Sequence, residues 1–259
     1  MGPASDLYPL TITTADRALT VSSPARRIVL LDGAGETILD ALGAGDRVLA
    51  VVPLDGNGVS AADLRGLRAD LVVAPSATDE KTLSKAASAG VPVYVTPDTS
   101  VHEVERAVTQ LGLIVAEPAA ARRRVRDIER RRQRVARLLR GAPRTRVFVD
   151  LGNFTTASDR SLIGDLVRAA KGQNIAADVP DGLPLSIQQL RALDPDVYVA
   201  AAGLGATLAE LRADPRTKGL RAVRNGRVVV VDSRLLSPGP RVGAGLEALA
   251  RALHPDAFR

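Results

Sequence analysis

Cysteine is absent from the 259 residues. That excludes disulfides, thiolate metal sites and cysteine nucleophiles, and it is compatible with an extracytoplasmic setting without showing one. Tryptophan is also absent, and the aromatic residues are only Phe148, Phe154, Phe258, Tyr8, Tyr94 and Tyr198. The core is therefore expected to be aliphatic, built from Leu, Val, Ile and Ala. Two histidines occur, His102 and His254. They are far apart, lack spacing such as H-E-x-x-H, and are expected at the surface, so no metal site is assigned. No apolar run reaches the roughly 18 residues that a membrane helix needs. No secretory signal is recognisable, and MGPASDLYP reads as a polar leader of the kind left once an export signal is removed.

Catalytic signatures are missing too. G-x-x-x-x-G-K-[ST] does not occur, and no G-x-S-x-G accompanies either histidine. Gly33-Ala34-Gly35 lies between a strand and a helix but lacks the full G-x-G-x-x-G spacing. A plain strand-to-helix turn explains it better than a nucleotide site, although a loop in that position can still face a ligand. No catalytic residue is assigned, and the residues give catalysis little support.

Charge is what the chain has in excess. The net charge is +6, and most of it falls in EPAAARRRVRDIERRRQRVARLLRG, residues 117–141, which carry ten arginines. Pro118 suits a first helical turn, and Gly141 with Pro143 suits a C-terminal stop. Val125, Ile128, Val135 and Leu139 recur at helical spacing as an apolar seam. Arg132 interrupts that seam, so its stem is expected along the neighbouring lobe with its head in water. Such a helix is roughly 36 Å long, longer than one small lobe is wide. It reads as a strut between an N-terminal lobe (1–116) and a C-terminal lobe (142–259). Its arginines read first as a solvated face. The alternative is a footprint for nucleic acid or an anionic surface, and scarce aromatics argue against a single-strand stacking platform.

Both flanks show an αβ rhythm. A hairpin of 10–14 and 19–21 is followed by strands at 28–31, 48–52, 71–74 and 93–95. Helices are expected at 36–42, 78–89 and, capped by Ser100, at 100–111. After the strut come strands at 147–150, 197–200 and 228–231. Helices there are expected at 162–170, 186–193 and 207–212, with a short one beginning at Asp214-Pro215 and a closing one at 241–253. Alternation of this kind implies α/β lobes with mainly parallel sheets. No clean internal repeat is visible. Phe154 lies in a polar loop, Asn153-Phe154-Thr155-Thr156, either as a packed loop residue or as an aromatic facing a cleft. Glu80 and Glu210, each at or near the start of a helix, read from spacing as solvated carboxylates.

Several stretches together resemble a known family. Ala25-Arg26-Arg27-Ile28-Val29-Leu30 precedes Glu36-Thr37-Ile38-Leu39-Asp40-Ala41-Leu42-Gly43-Ala44-Gly45-Asp46-Arg47-Val48. In order follow Asp63-Leu64-Arg65, Ala69-Asp70-Leu71-Val72-Val73-Ala74, Gly90-Val91-Pro92-Val93, Ser161-Leu162-Ile163-Gly164-Asp165-Leu166, Gln173-Asn174-Ile175-Ala176, Leu193-Asp194-Pro195-Asp196-Val197, Ala222-Val223-Arg224-Asn225-Gly226-Arg227-Val228 and Gly239-Pro240-Arg241. This series resembles the substrate-binding proteins of ABC importers for iron–siderophore complexes, haem and cobalamin, from about Tyr8 onward.

The resemblance implies two αβ lobes joined by one long helix, with the ligand in a cleft between them. It implies a monomer, periplasmic or extracellular and open to a lipid anchor, that delivers a metal chelate to a permease. No cofactor and no nucleic acid partner is expected. A ferric siderophore is favoured and cobalamin is next; a nucleic-acid or anionic-surface binder and a two-lobed nucleotide-sugar enzyme are the alternatives. Expected ligand-binding residues are Asp32, Gly33 and Ala34; Leu54, Asp55 and Asn57; Ser76; Asn153, Phe154 and Thr155; and Arg234 and Leu235. Arg234 would suit an anionic chelate, or it is plain surface charge. Glu80 and Glu210 are the expected permease-docking residues. Haem-binding relatives offer Tyr or His from a cleft loop, and the matching loop here, Leu54-Asp55-Gly56-Asn57-Gly58, has neither.

Overall fold

The structure, a computed structural model, describes residues 8–14, 17–52 and 59–259. Leu54, Asp55 and Asn57 lie outside the described residues. The hairpin is present: β1 (Leu10–Thr14) pairs antiparallel with β2 (Arg17–Val21), from Leu10 opposite Val21 to Thr14 opposite Arg17. The chain then divides into two compact units. One takes the residues up to Asp98 with His102–Arg126, and the other Thr99–Val101 with Asp127–Arg259.

The first unit is built on β3 (Ile28–Leu30), β4 (Val48–Val51), β5 (Leu71–Pro75) and β6 (Val93–Thr96), all parallel in the order β4-β3-β5-β6. The two central strands, β3 and β5, are apolar on both faces and almost wholly buried, the pattern of a parallel sheet covered on both sides. The crossovers carry α1 (Gly33–Leu42), α2 (Ala61–Gly66) and α3 (Glu80–Ala87), and α4 (Val101–Ile114) follows β6. Tyr94 is fully buried, its hydroxyl donating to Gln110 Oε1 at 2.8 Å.

Next, α5 (Pro118–Leu138) is the expected long helix, with Pro118 as its first residue. Ala121, Ile128, Val135 and Leu139 are buried, while Val125 is only half-buried. Arg132 does not fill the seam. It is exposed and bonds Glu129 in the preceding turn at 2.6 Å. Arg131 is the inward-turning arginine, bridging Asp127 at 3.2 Å and Glu247 at 2.8 Å. One step of 100° around the helix separates the two outcomes.

The second unit holds β7 (Thr145–Asp150), α6 (Leu162–Ala169), β8 (Gly172–Asn174), α7 (Ile187–Leu193), β9 (Val197–Ala201), α8 (Leu208–Ala213), α9 (Arg221–Arg224), β10 (Val228–Val231) and α10 (Val242–Leu253). Its sheet is again all parallel, in the order β10-β9-β7-β8. Numbered within each parallel sheet, both orders are 2-1-3-4. The sequence shows no repeat, yet the topology repeats.

Differences from the sequence reading have local causes. Asp32 caps α1 by accepting from Gly35 N–H, so that helix starts at Gly33 rather than Glu36. Asp79 caps α3 through Thr82 N–H, so it starts at Glu80 rather than Thr78. β8 has no apolar side chain and exists through its pairing with β7, which periodicity cannot show. α2 is short, announced only by Ser60 and Asp63, which exchange capping bonds. At Asp214 the carboxylate takes both the backbone N–H and the guanidinium of Arg216, and the chain makes a turn; the short helix is α9 instead. His102 is exposed as expected, but His254 is half-buried, its Nε2 3.1 Å from Ala170 O.

Candidate functional site

A 2-1-3-4 order places a topological switch between strands 1 and 3. The loops leaving their carboxyl ends diverge there and open a crevice. In the first unit these are the loops after β3 and β5, which hold Asp32 and Ser76. In the second they follow β7 and β9 and begin at Asp150 and Ala201.

In the first unit three groups sit close together. Asp32, Gly33 and Ala34 form the cap and opening turn of α1. Ser76 is tied to the loop after β6: its backbone N–H and Oγ both bond Asp98, at 3.3 and 2.5 Å. Burial pushes the Asp32 carboxyl above the usual carboxylate range against the pull of the Gly35 and Ala34 N–H groups, and the charge of Asp98 adds to the rise. Burial also raises Asp98, opposed by its bonds from Ser76 and reinforced by Glu103. Asp98 was not expected from the sequence. It is an isolated acid two residues beyond a strand, and nothing in its spacing marks it.

The second unit is organised by Asp150, which is fully buried at the end of β7. Its Oδ1 accepts from Gly152 N–H at 3.0 Å and Phe154 N–H at 2.9 Å. Its Oδ2 accepts from Tyr198 Oη at 2.7 Å and Ala206 N–H at 2.8 Å. One carboxylate thus fixes both loops at the switch point. Burial pushes the Tyr198 phenol well up, and the Asp150 charge and bond push it further, so it stays a donor. Gly205 is needed where the second loop passes: an added Cβ would lie 2.8 Å from Asp150 O and 3.0 Å from Ala200 Cα. The loops enclose a recess of about 420 Å³ lined by Asn153, Phe154, Leu204, Thr207 and Glu210 among others.

Of the expected residues, Asn153 and Phe154 therefore stand together, both with positive φ, 51° and 60°. Phe154 is half-buried against the unit's core and borders the recess, so both sequence readings of it hold in part. Thr155 closes the turn, its N–H bonding Gly152 O at 2.8 Å. Glu210 lines the same recess. Its Oε2 takes both the N–H and Oγ1 of Thr207, which hold its carboxyl below the usual range. Glu80 is exposed at the first position of α3, with Oε1 accepting from Ser84 at 3.2 Å. Arg234 and Leu235 lie in a turn after β10. Arg234 is exposed, and its guanidinium is bound in a fork by Asp232, closest at 2.8 Å, so its charge is already paired within the chain. Among the described residues no group of three or more His, Cys, Asp or Glu could hold a metal ion.

Comparison with known proteins agrees with this geometry. A family model described as "Periplasmic binding protein" matches residues 63–235. A "Cobalamin-binding protein" of Halobacterium salinarum is 30% identical over 95% of this chain and 74% of its own length. An "Uncharacterized ABC transporter substrate-binding lipoprotein" of Bacillus subtilis is 25% identical over 98% of this chain and 88% of its own. Among solved structures, the periplasmic heme-binding protein RhuT of Roseiflexus, without ligand, matches with a TM-score of 0.75 at 25% identity, covering 90% of this chain and 99% of that one.

Proposed function

Because the chain belongs to the periplasmic binding protein family, we propose that it captures a metal chelate outside the cytoplasm and delivers it to the permease of an ABC importer. Cobalamin is the first candidate ligand, on the strength of the relative that shares 30% of its residues. A ferric siderophore, ranked first from the sequence, takes second place.

One observation carries the preference for a chelate whose metal is already fully coordinated. The protein has little to offer an open metal site. Tyr94 and Tyr198 are buried with their hydroxyls bonded inside the core, Tyr8 donates to Leu113 O at 2.6 Å, and His254 faces Ala170 O. His102 alone of the tyrosines and histidines is exposed, in the first turn of α4, with Nδ1 3.6 Å from Glu105. Haem binding would have to rest on that imidazole. Cobalamin and ferric siderophores need no such ligand, only a shaped, polar and aliphatic surface. Each unit by itself offers loops of that kind, built on Asp32 and Ser76 in the first and on Asp150 in the second. In this reading Glu80 and Glu210 meet the permease, and a lipid anchor of the kind named for the Bacillus relative holds the protein at the membrane.

A thermal-shift panel tests the proposal: cobalamin, ferric hydroxamates and catecholates, haem and simple metal ions. Ligand at about 100 times its Kd adds about 2.7 kcal/mol of stability, enough to move Tm by several degrees. A shift with cobalamin alone supports the first candidate, and a shift with ferric siderophores alone transfers the assignment to them. Haem binding that survives His102→Ala would overturn the argument from missing metal ligands. No shift with any chelate would overturn the proposal.

A further inference from the structure

The arginines of α5 are not spread evenly around it. Ala121, Ile128, Val135 and Leu139 mark the buried side. At 100° per residue, Arg122, Arg123, Arg126, Arg130, Arg134 and Arg137 fall within about 120° on the opposite side. Gln133 is the one other residue on that arc between Arg122 and Arg137. The exposed stripe is about 22 Å long at 1.5 Å per residue and holds no acidic, aromatic or aliphatic side chain. Arg130 is tied to Asp127 at 2.9 Å, and Arg134 reaches Glu247 only at 3.8 Å. Arg122, Arg123, Arg126 and Arg137 have no carboxylate within ion-pair distance among the described residues. Repulsion along such a row is a standing cost unless something anionic lies against it.

We propose that this stripe docks the protein on an anionic phospholipid surface, its guanidinium groups pairing with headgroup phosphates. The stripe's chemistry selects the occupant. A protein partner would be gripped by aromatic and apolar anchors set in pockets, and the outward arc offers none. Single-stranded nucleic acid would need stacking platforms, also missing. A straight row of planar, always-charged forks suits a laterally uniform field of phosphates. The inference rests on the extracytoplasmic, membrane-proximal reading above but not on the identity of the ligand, because lipid binding is measured without one.

The test is co-flotation of the full chain with vesicles of phosphatidylglycerol mixed with phosphatidylcholine, against phosphatidylcholine alone. Binding is expected only to the anionic vesicles and should fade as salt shortens the screening length. Replacing Arg122, Arg126 and Arg137 together by Gln should weaken it on the order of 100-fold, since each basic residue near an anionic surface is worth about a factor of five. The same three positions as Lys should keep most of it. Replacing Arg26, Arg191 and Arg224 by Gln removes the same charge elsewhere and should leave it nearly unchanged. An equal loss in that second set would show that net charge, not the stripe, drives binding, and would overturn the proposal. So would absence of binding at low salt, or tighter, stripe-dependent binding to duplex DNA at the same salt. A negative ligand panel with positive flotation would sink the ligand assignment and leave this inference standing.

Discussion

Tyr198 and Asp150, 48 residues apart, meet through a 2.7 Å hydrogen bond between two wholly buried side chains, phenol donating to carboxylate. The Tyr198 ring also lies 5.3 Å from Phe148 at a 58° tilt, so it is held by packing as well as by its hydroxyl. Asp150→Asn should be destabilising by about 1–3 kcal/mol, because an NH2 group then faces the Ala206 N–H and leaves a buried donor unpaired. Asp150→Ala should cost more, with four donors stranded. Urea unfolding measures both. A neutral Asp150→Asn would show that the two loops are not held as described.

Asp32 gives a pH-dependent prediction. Its folded-state pKa is raised, chiefly by burial, so folding takes up protons between the unfolded and folded values. Stability contributed by this group therefore rises as pH falls through that window and is lost as pH climbs above it. Asp32→Asn keeps an oxygen to cap α1 and is neutral throughout. It should be the more stable protein at pH 7, with its advantage shrinking as pH is lowered toward the ordinary carboxylate range. Melting curves across that span check the sign; an advantage that widens on acidification refutes it.

Gly112 in α4 lies against α5. An added Cβ would sit 2.3 Å from Ala121 Cβ. Gly112→Ala should destabilise by about 1–3 kcal/mol through overpacking, despite the better helix propensity of Ala. Gly66→Ala, at the end of α2 with nothing within 4 Å of the new Cβ, should be neutral or stabilising by up to about 1 kcal/mol. The two denaturation midpoints should move apart.

Charge reversal of Glu80 and Glu210 should abolish importer-stimulated transport while leaving ligand affinity intact. Glu210→Lys also breaks the bonds from Thr207, so Glu210→Gln is the cleaner variant: Gln still accepts from Thr207 but carries no charge. If transport falls with Lys and not with Gln, the helix cap matters and the charge does not. Because Glu210 shares its recess with Asn153 and Phe154, a change in ligand affinity on Glu210→Gln would reassign it to ligand contact.

Most of the α/β architecture was legible in the sequence because buried parallel strands are apolar on both faces. Ile28–Leu30 and Val197–Ala201 announce themselves without a partner in view. Gly172–Asn174 does not, since its strand state comes from Thr145–Val147 beside it. Asp32, Asn153 and Phe154 could be chosen as site candidates from their place after a strand. Asp98 and Asp150 could not, because their roles depend on what is brought to them: Ser76 in one case, Tyr198 and Ala206 in the other. The 2-1-3-4 order shared by both sheets was equally hidden, since pairing order leaves no periodic trace in composition.

That shared order bears on how the chain emerges during synthesis. In each parallel sheet the first strand made, β3 or β7, is a central one and must wait for the third, β5 or β9, before both its edges are covered. The first sheet is complete at Thr96, while more than half of the chain has still to be made. The second waits until Val231, and until Tyr198 has been made Asp150 is a carboxylate without its tyrosine. N-terminal units tend to fold first on the ribosome, so the first unit can close early. The later unit is the one exposed to delay, and the stretch from Thr145 to Ala206 is where a nascent chain would benefit most from a chaperone.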